Sequence, residues 1–304
     1  MYDIIVIGGG PAGMTAALYA LRNKKTVLVI EKGGFGGQIS YSPKVENFPG
    51  TLQMSGNEFA DALLDQIMTH GADIESDTVT EIKDDGATKR VFTEDGAEFE
   101  AKAIIIATGV KHRMLGLEGE YELVGNGISF CAVCDGDFYS NQTVAVVGGG
   151  NSALQEASLL ADSCKEVILI QNLDRFTGEA ALAEKLLARE NVRAIMGTVV
   201  TALKTENGEL RGIALKNETS GETSELSCDG MFVAIGLIPE NEPFRNLAEL
   251  DSFGYLDSDE RCLTKTPGVF VAGDCRTKSV RQLTTATADG SVAALAACKY
   301  IDNN

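Results

Sequence analysis

Two glycine-rich loops, each set between an apolar strand and a helix, place this chain in the α/β class with two Rossmann-like domains. One is Gly8-Gly9-Gly10 and the other Gly148-Gly149-Gly150. A third observation belongs with them: Cys131-Ala132-Val133-Cys134-Asp135-Gly136 lies one short strand before the second loop. With 304 residues, there is chain enough for two domains that each bury a core.

The first unit is read in order. Asp3-Ile4-Ile5-Val6-Ile7 is a continuous apolar run, as expected of a parallel strand covered on both faces. Gly8, Gly10 and Gly13 then spell G-x-G-x-x-G, and Pro11 with Ala12 opens a helix through Arg22. The strand Thr26-Val27-Leu28-Val29-Ile30 ends at Glu31. Such glycines let backbone approach a pyrophosphate at a helix N-terminus, and the acid can accept from a ribose 2′-hydroxyl. Loops follow at 33–39 and 45–50. Residues 57–70 carry the stripe Phe59, Leu63, Leu64 and Ile67 of an amphipathic helix, with His70 as its C-terminal cation. A meander of short strands is expected at 73–75, 79–82, 90–92 and 98–100, then a buried strand at 103–107 before Thr108-Gly109.

A second cycle begins near Met114. After the dithiol, the strand Thr143-Val144-Ala145-Val146-Val147 leads into Gly148, Gly150 and Ala153, a G-x-G-x-x-A variant that includes Asn151 and Ser152. A helix through Leu160 and the strand 166–170 complete that unit. Residues 179–190 read as a helix, and 192–232 as strands turning at Asn207-Gly208 and Ser220-Gly221. The strand from Gly230 ends at Gly236, much as the earlier one ends at Thr108-Gly109. Val269-Phe270-Val271-Ala272-Gly273-Asp274 reads as a strand presenting a carboxylate, followed by an alanine-rich helix from about Thr284 to Tyr300. The tail therefore reverts to the first domain, giving 1–113 with 242–304, and 114–241 between hinges near Arg113-Met114 and Pro239-Glu240-Asn241.

Composition narrows the classes. With 26 basic and 44 acidic residues the net charge is −18, which disfavours nonspecific binding to nucleic acid or anionic membranes. No apolar run approaches the roughly 18 residues of a membrane span, and no leader pattern is visible, so a cytoplasmic protein is expected. Seven thinly spread cysteines do not make a secreted disulfide framework. Zinc is the rival reading of Cys131 and Cys134, but a structural site needs four ligands and only His70 and His112 accompany the isolated cysteines. No metal is expected. Cys275 could lie by a cofactor or simply fill a core.

Together these motifs resemble the low-molecular-weight thioredoxin reductases, FAD-dependent disulfide oxidoreductases that work as homodimers. The resemblance covers nearly the whole chain. It implies two dinucleotide-binding domains of three-layer ββα type, the FAD domain discontinuous. It also implies an FAD site at Gly8, Gly10, Pro11, Ala12, Gly13, Glu31, Gly37, Gln38, Asn47, Thr108, Gly109, Gly273, Asp274, Arg281 and Gln282. By the same resemblance Cys134 faces the flavin, Cys131 attacks the disulfide of a thioredoxin or similar redox protein, and Asp135 is the proton donor. Asp135 also reads as a helix cap. Val133 replaces the family's usual Thr.

One departure bears on the electron donor. Members using NADPH carry a His-Arg-Arg-x-x-x-Arg cluster where this chain has Gln171-Asn172-Leu173-Asp174-Arg175-Phe176-Thr177. A 2′-phosphate needs cationic donors, each worth about 1.5–3 kcal/mol. Losing two or three weakens NADPH preference by several kcal/mol, at about tenfold per 1.4 kcal/mol. Gln171 could instead contact a 2′-hydroxyl. NADH, a low-potential protein such as reduced ferredoxin, and NADPH held by other residues all stay open, NADPH least favoured. An acidic ferredoxin would need a basic patch, for which Lys111 with Arg113, or Arg276 with Lys278 and Arg281, are candidates. The alternative function is an electron-transfer flavoprotein with a vestigial nucleotide domain.

Overall fold

The computed structural model describes residues 1–42 and 44–304. The chain divides into two compact units, Met1–Lys111 with Ile238–Asn304, and His112–Leu237.

A seven-stranded sheet organises the first unit. Tyr2–Ile7 runs parallel between Val27–Glu31 and Glu98–Ile106, and Asp73–Ser76 extends the sheet beside Val27–Glu31. The segment expected to begin a meander at 73 is therefore a parallel edge strand. The strands expected at 98–100 and 103–107 are one strand of nine residues. Its first half pairs antiparallel with Lys89–Thr93, while Ile104–Ile106 run parallel with Val269–Val271. Alternate side chains feed two cores: Ile4, Val6 and Ile105 on one face, Ile5, Ile7 and Ile106 on the other. Both faces are covered, which is why the strands read as unbroken apolar runs.

Three helices cover the first of those faces. Pro11–Arg22 packs against Leu283–Asn303 through small residues; a Cβ on Gly290 would stand 2.2 Å from the Ala12 carbonyl oxygen. Gly56–Thr69 starts with a capping box, in which the Ser55 hydroxyl accepts from the Glu58 amide at 3.1 Å and the Glu58 carboxylate accepts from the Ser55 amide at 2.7 Å. His70 is its C-cap residue.

In the second unit, five parallel strands lie in the order Val192–Ile195, Glu166–Ile170, Thr143–Val147, Gly230–Val233, Ile128–Ser129. A separate antiparallel sheet comprises Thr198–Glu206, Glu209–Asn217 and Thr223–Ser227. Its first turn is Asn207-Gly208, both residues at positive φ, the geometry such hairpins prefer. No helix is long and apolar enough to cross a membrane among the described residues.

Candidate functional sites

In the first unit, the three motif glycines have different causes. Gly8 has φ +108°, and a Cβ there would stand 2.3 Å from the Ala107 carbonyl oxygen. A Cβ on Gly13 would stand 1.9 Å from the Gly8 carbonyl oxygen. Both are dictated by the turn and by helix packing. Gly10 is neither: its φ is −80°, and its nearest neighbour would be 4.0 Å away. The room over Gly10, at the helix N-terminus, is what a pyrophosphate requires.

The other expected residues gather around this loop. Glu31 accepts from the Gly9 amide at 2.5 Å and the Gly33 amide at 2.8 Å. Gly36 donates to the Gly9 carbonyl at 2.8 Å, and Gly37, at φ +58°, lies against Gly10. Gln38 donates to the Val110 carbonyl. Asn47 donates to Gln282 at 3.3 Å, and Arg281 donates to the Asp274 carbonyl at 3.2 Å while lying over the Tyr255 ring. Thr108 bonds to Asn241, a buried residue that also donates to the Cys275 carbonyl. Gly273, at φ +80°, packs on Ala12.

Asp274 is the conspicuous polar group. Its Oδ1 is buried with no hydrogen-bond partner, and burial pushes the carboxyl up to about 6 against the pull of Lys278, Arg281 and Arg276. A buried acceptor of this kind calls for a donor from a bound group, and the open cradle at Gly10 is of a piece with it. These residues fit FAD. Cys275 takes the plainer role: it is fully buried, its thiol points to the Ala272 carbonyl, and burial raises it to about 11.

Two of the three cations of the expected basic patch, Arg276 and Lys278, are not surface features, while Arg281 is half-buried. The Arg276 side chain is 2% exposed and that of Lys278 5%, both bound to Asp289 on the C-terminal helix. Asp289 also accepts from the Gly273 amide at 3.0 Å, so this triad anchors the turn that presents Asp274. Periodicity marks apolar faces and does not reveal buried ion pairs. Lys111 and Lys32 both pair with Glu240.

In the second unit the same glycine logic recurs. Gly148 sits at φ +137° against the Ala234 carbonyl, whereas Gly150 would meet nothing closer than 3.8 Å. Asn151 and Ser152 are exposed in the first helical turn, and Ala153 is buried. Gln171 is 4% exposed; it packs on Gly149 and donates to the Arg175 carbonyl at 3.1 Å. Arg175 is exposed and pairs with Asp174.

Cys131, the N-cap residue of the short helix Ala132–Asp135, forms a disulfide with Cys134 inside that helix. Cys134 is exposed and Cys131 half-buried. Asp135 occupies the N-cap position of the 3-10 turn Gly136–Tyr139 but makes no side-chain capping bond there: its side chain accepts from the Ser129 hydroxyl at 2.6 Å, and its other oxygen is buried without a partner. Burial raises this carboxyl, outweighing the Ser129 bond. A carboxyl whose affinity for a proton is raised by burial, beside a dithiol, is suited to proton transfer. Ser129 in turn accepts from the Cys131 amide at 3.1 Å. Glu156, on the helix Asn151–Leu160, accepts from the Ala132 amide. Neither Ser129 nor Glu156 stood out in the sequence, because neither belongs to a spacing motif. His112 stacks on Phe130 at 4.3 Å, and burial pushes it down to about 4, so it is neutral near pH 7.

Comparison with known proteins places the chain in a family. The model of the pyridine nucleotide-disulphide oxidoreductase family matches residues 2–290. A thioredoxin reductase of Bacillus subtilis is 38% identical over 99% of this chain and 95% of its own. One of Listeria monocytogenes is 40% identical over 99% and 94%. The crystal structure of thioredoxin reductase from Streptococcus pyogenes superposes with a TM-score of 0.95 at 37% identity, covering 100% of this chain and 99% of the other.

Proposed function

The chain belongs to the pyridine nucleotide-disulphide oxidoreductase family, and from that premise we propose that it is an FAD-dependent thioredoxin-disulfide reductase. The observation that carries the reading is the Cys131–Cys134 disulfide with Asp135 beside it, in a chain whose other unit has an open cradle at Gly10 and an unpartnered Asp274. Gly8 to Gly13, Glu31, Asp274 and the loops at Gly37–Gln38 and Arg281–Gln282 would hold FAD. When bound, FAD supplies a two-electron carrier between the donor and the dithiol.

The dithiol carries out the exchange. Cys131, as thiolate, attacks one sulfur of the thioredoxin disulfide and forms a mixed disulfide, displacing the other sulfur as thiolate. Cys134 then attacks Cys131 Sγ, restoring the intramolecular bond and releasing reduced thioredoxin. Asp135 delivers a proton to a departing sulfur. The division of labour between the two cysteines follows the family resemblance. The resemblance also supports a homodimer.

For the donor, we favour NADH or a reduced ferredoxin-type protein over NADPH. Arg175 is the sole cation of residues 171–177, and the Gln171 amide is already engaged by the Arg175 carbonyl. An anaerobic titration offering NADH, NADPH and reduced ferredoxin separately, with flavin absorbance followed, tests this. Rapid bleaching by micromolar NADPH would overturn the donor assignment. Separately, Cys131→Ser and Cys134→Ser should each abolish thioredoxin reduction while the purified protein keeps its FAD. Full reductase activity in either variant sinks the mechanism.

A further inference from the structure

We propose that Glu156 is a positioning residue for the dithiol: it pins the Ala132 amide, and its charge sets how readily the Cys131–Cys134 bond opens. The inference rests on the redox reading given above. A helix's first amides have no partner within the helix, and Cys131, at the N-cap, offers no side-chain bond. The chain solves this from outside. The Cys131 amide bonds to Ser129, while the Ala132 amide bonds to Glu156, 24 residues further on. Ala132 is itself 7% exposed, so its amide has little access to water.

That bond brings a carboxyl within one residue of Cys131. Opening the disulfide takes two electrons from a reductant. It breaks the Sγ–Sγ bond and leaves two thiolates, which take up one or two protons according to pH. An ionised carboxylate here disfavours the thiolate and so favours the closed disulfide. Asp135 is the charged side chain that bears on Glu156 through space, and both carboxyls are raised chiefly by burial. As pH climbs and Glu156 ionises, its opposition to a thiolate grows.

The test compares the holoenzyme with Glu156→Gln, which keeps an acceptor for the amide but removes the charge, and Glu156→Ala, which removes both. After reduction with dithiothreitol, the pH dependence of iodoacetamide labelling at Cys131 and Cys134 is read by mass spectrometry. In E156Q the labelling midpoint should fall by about one pH unit, as expected when a like charge is removed at close range. The equilibrium with glutathione should shift about tenfold towards the dithiol, about 30 mV for two electrons. Amide exchange at Ala132 should stay slow in E156Q and quicken in E156A. Unchanged labelling and glutathione equilibrium in E156Q would overturn the electrostatic role. Unchanged Ala132 exchange in E156A would overturn the anchoring role. If wild-type protein shows no reductant-dependent labelling of either cysteine, the redox reading itself fails and takes this inference with it.

Discussion

Asp274 concentrates the tension between stability and function in one side chain. Its folded-state carboxyl lies near 6, against an ordinary 3.8. Below pH 3.8 both states are protonated and the group contributes nothing. As pH rises through 4 to 6, the unfolded carboxyl ionises first, the folded state binds more protons, and stability falls. The loss in FAD-free protein should be on the order of 2–3 kcal/mol by pH 7. Urea unfolding of flavin-free wild type and Asp274→Asn across this range checks it: the stability of the variant relative to wild type should grow from pH 4 to 6 and then level off. A constant difference would show that the buried carboxyl is not raised. Asp289 has the opposite sign: burial opposes ionisation there, but Arg276 and Lys278 win and hold it below the usual range.

At the level of elements, what was legible in the sequence is what period and punctuation encode. Continuous apolar runs ending in glycine marked the parallel strands, and Gly8 to Gly13 marked the loop-to-helix joint. Less legible was partner choice. Glu98–Ile106 looked like two strands because its exposed half alternates and its buried half does not; one backbone serves an antiparallel and a parallel neighbour in turn. The Ala132–Asp135 helix was also hidden, being four residues long and held by Ser129 and Glu156 rather than by its own pattern. The glycine motif itself can be dissected. Gly13→Ala forces a side chain onto backbone and should destabilise flavin-free protein by about 1–3 kcal/mol, the cost of an overpacked core, read as a lower melting temperature. Gly10→Ala meets open space and should leave that melting temperature alone while weakening FAD binding, read by flavin fluorescence titration. Equal FAD affinity in Gly10→Ala and wild type would remove the pyrophosphate from that position.

At the level of the whole molecule, charge decides how a protein donor can approach. The net charge is −18, and two of the cations that looked available to offset it locally, Arg276 and Lys278, are buried against Asp289. Lys32 and Lys111 share Glu240, which leaves that spot with one net positive charge. An acidic ferredoxin therefore meets a field that is repulsive at long range. Salt shortens the reach of that field, to about 10 Å at 0.1 M. Raising ionic strength from about 20 to 200 mM should thus accelerate flavin reduction by ferredoxin, by a factor on the order of ten. Stopped-flow measurement of the second-order rate against salt decides it. A rate that falls with salt would mean that a local cationic surface governs the encounter. Lys111→Glu would then locate it, slowing reduction if the Lys32–Glu240–Lys111 group is that surface and leaving the rate unchanged if it is not.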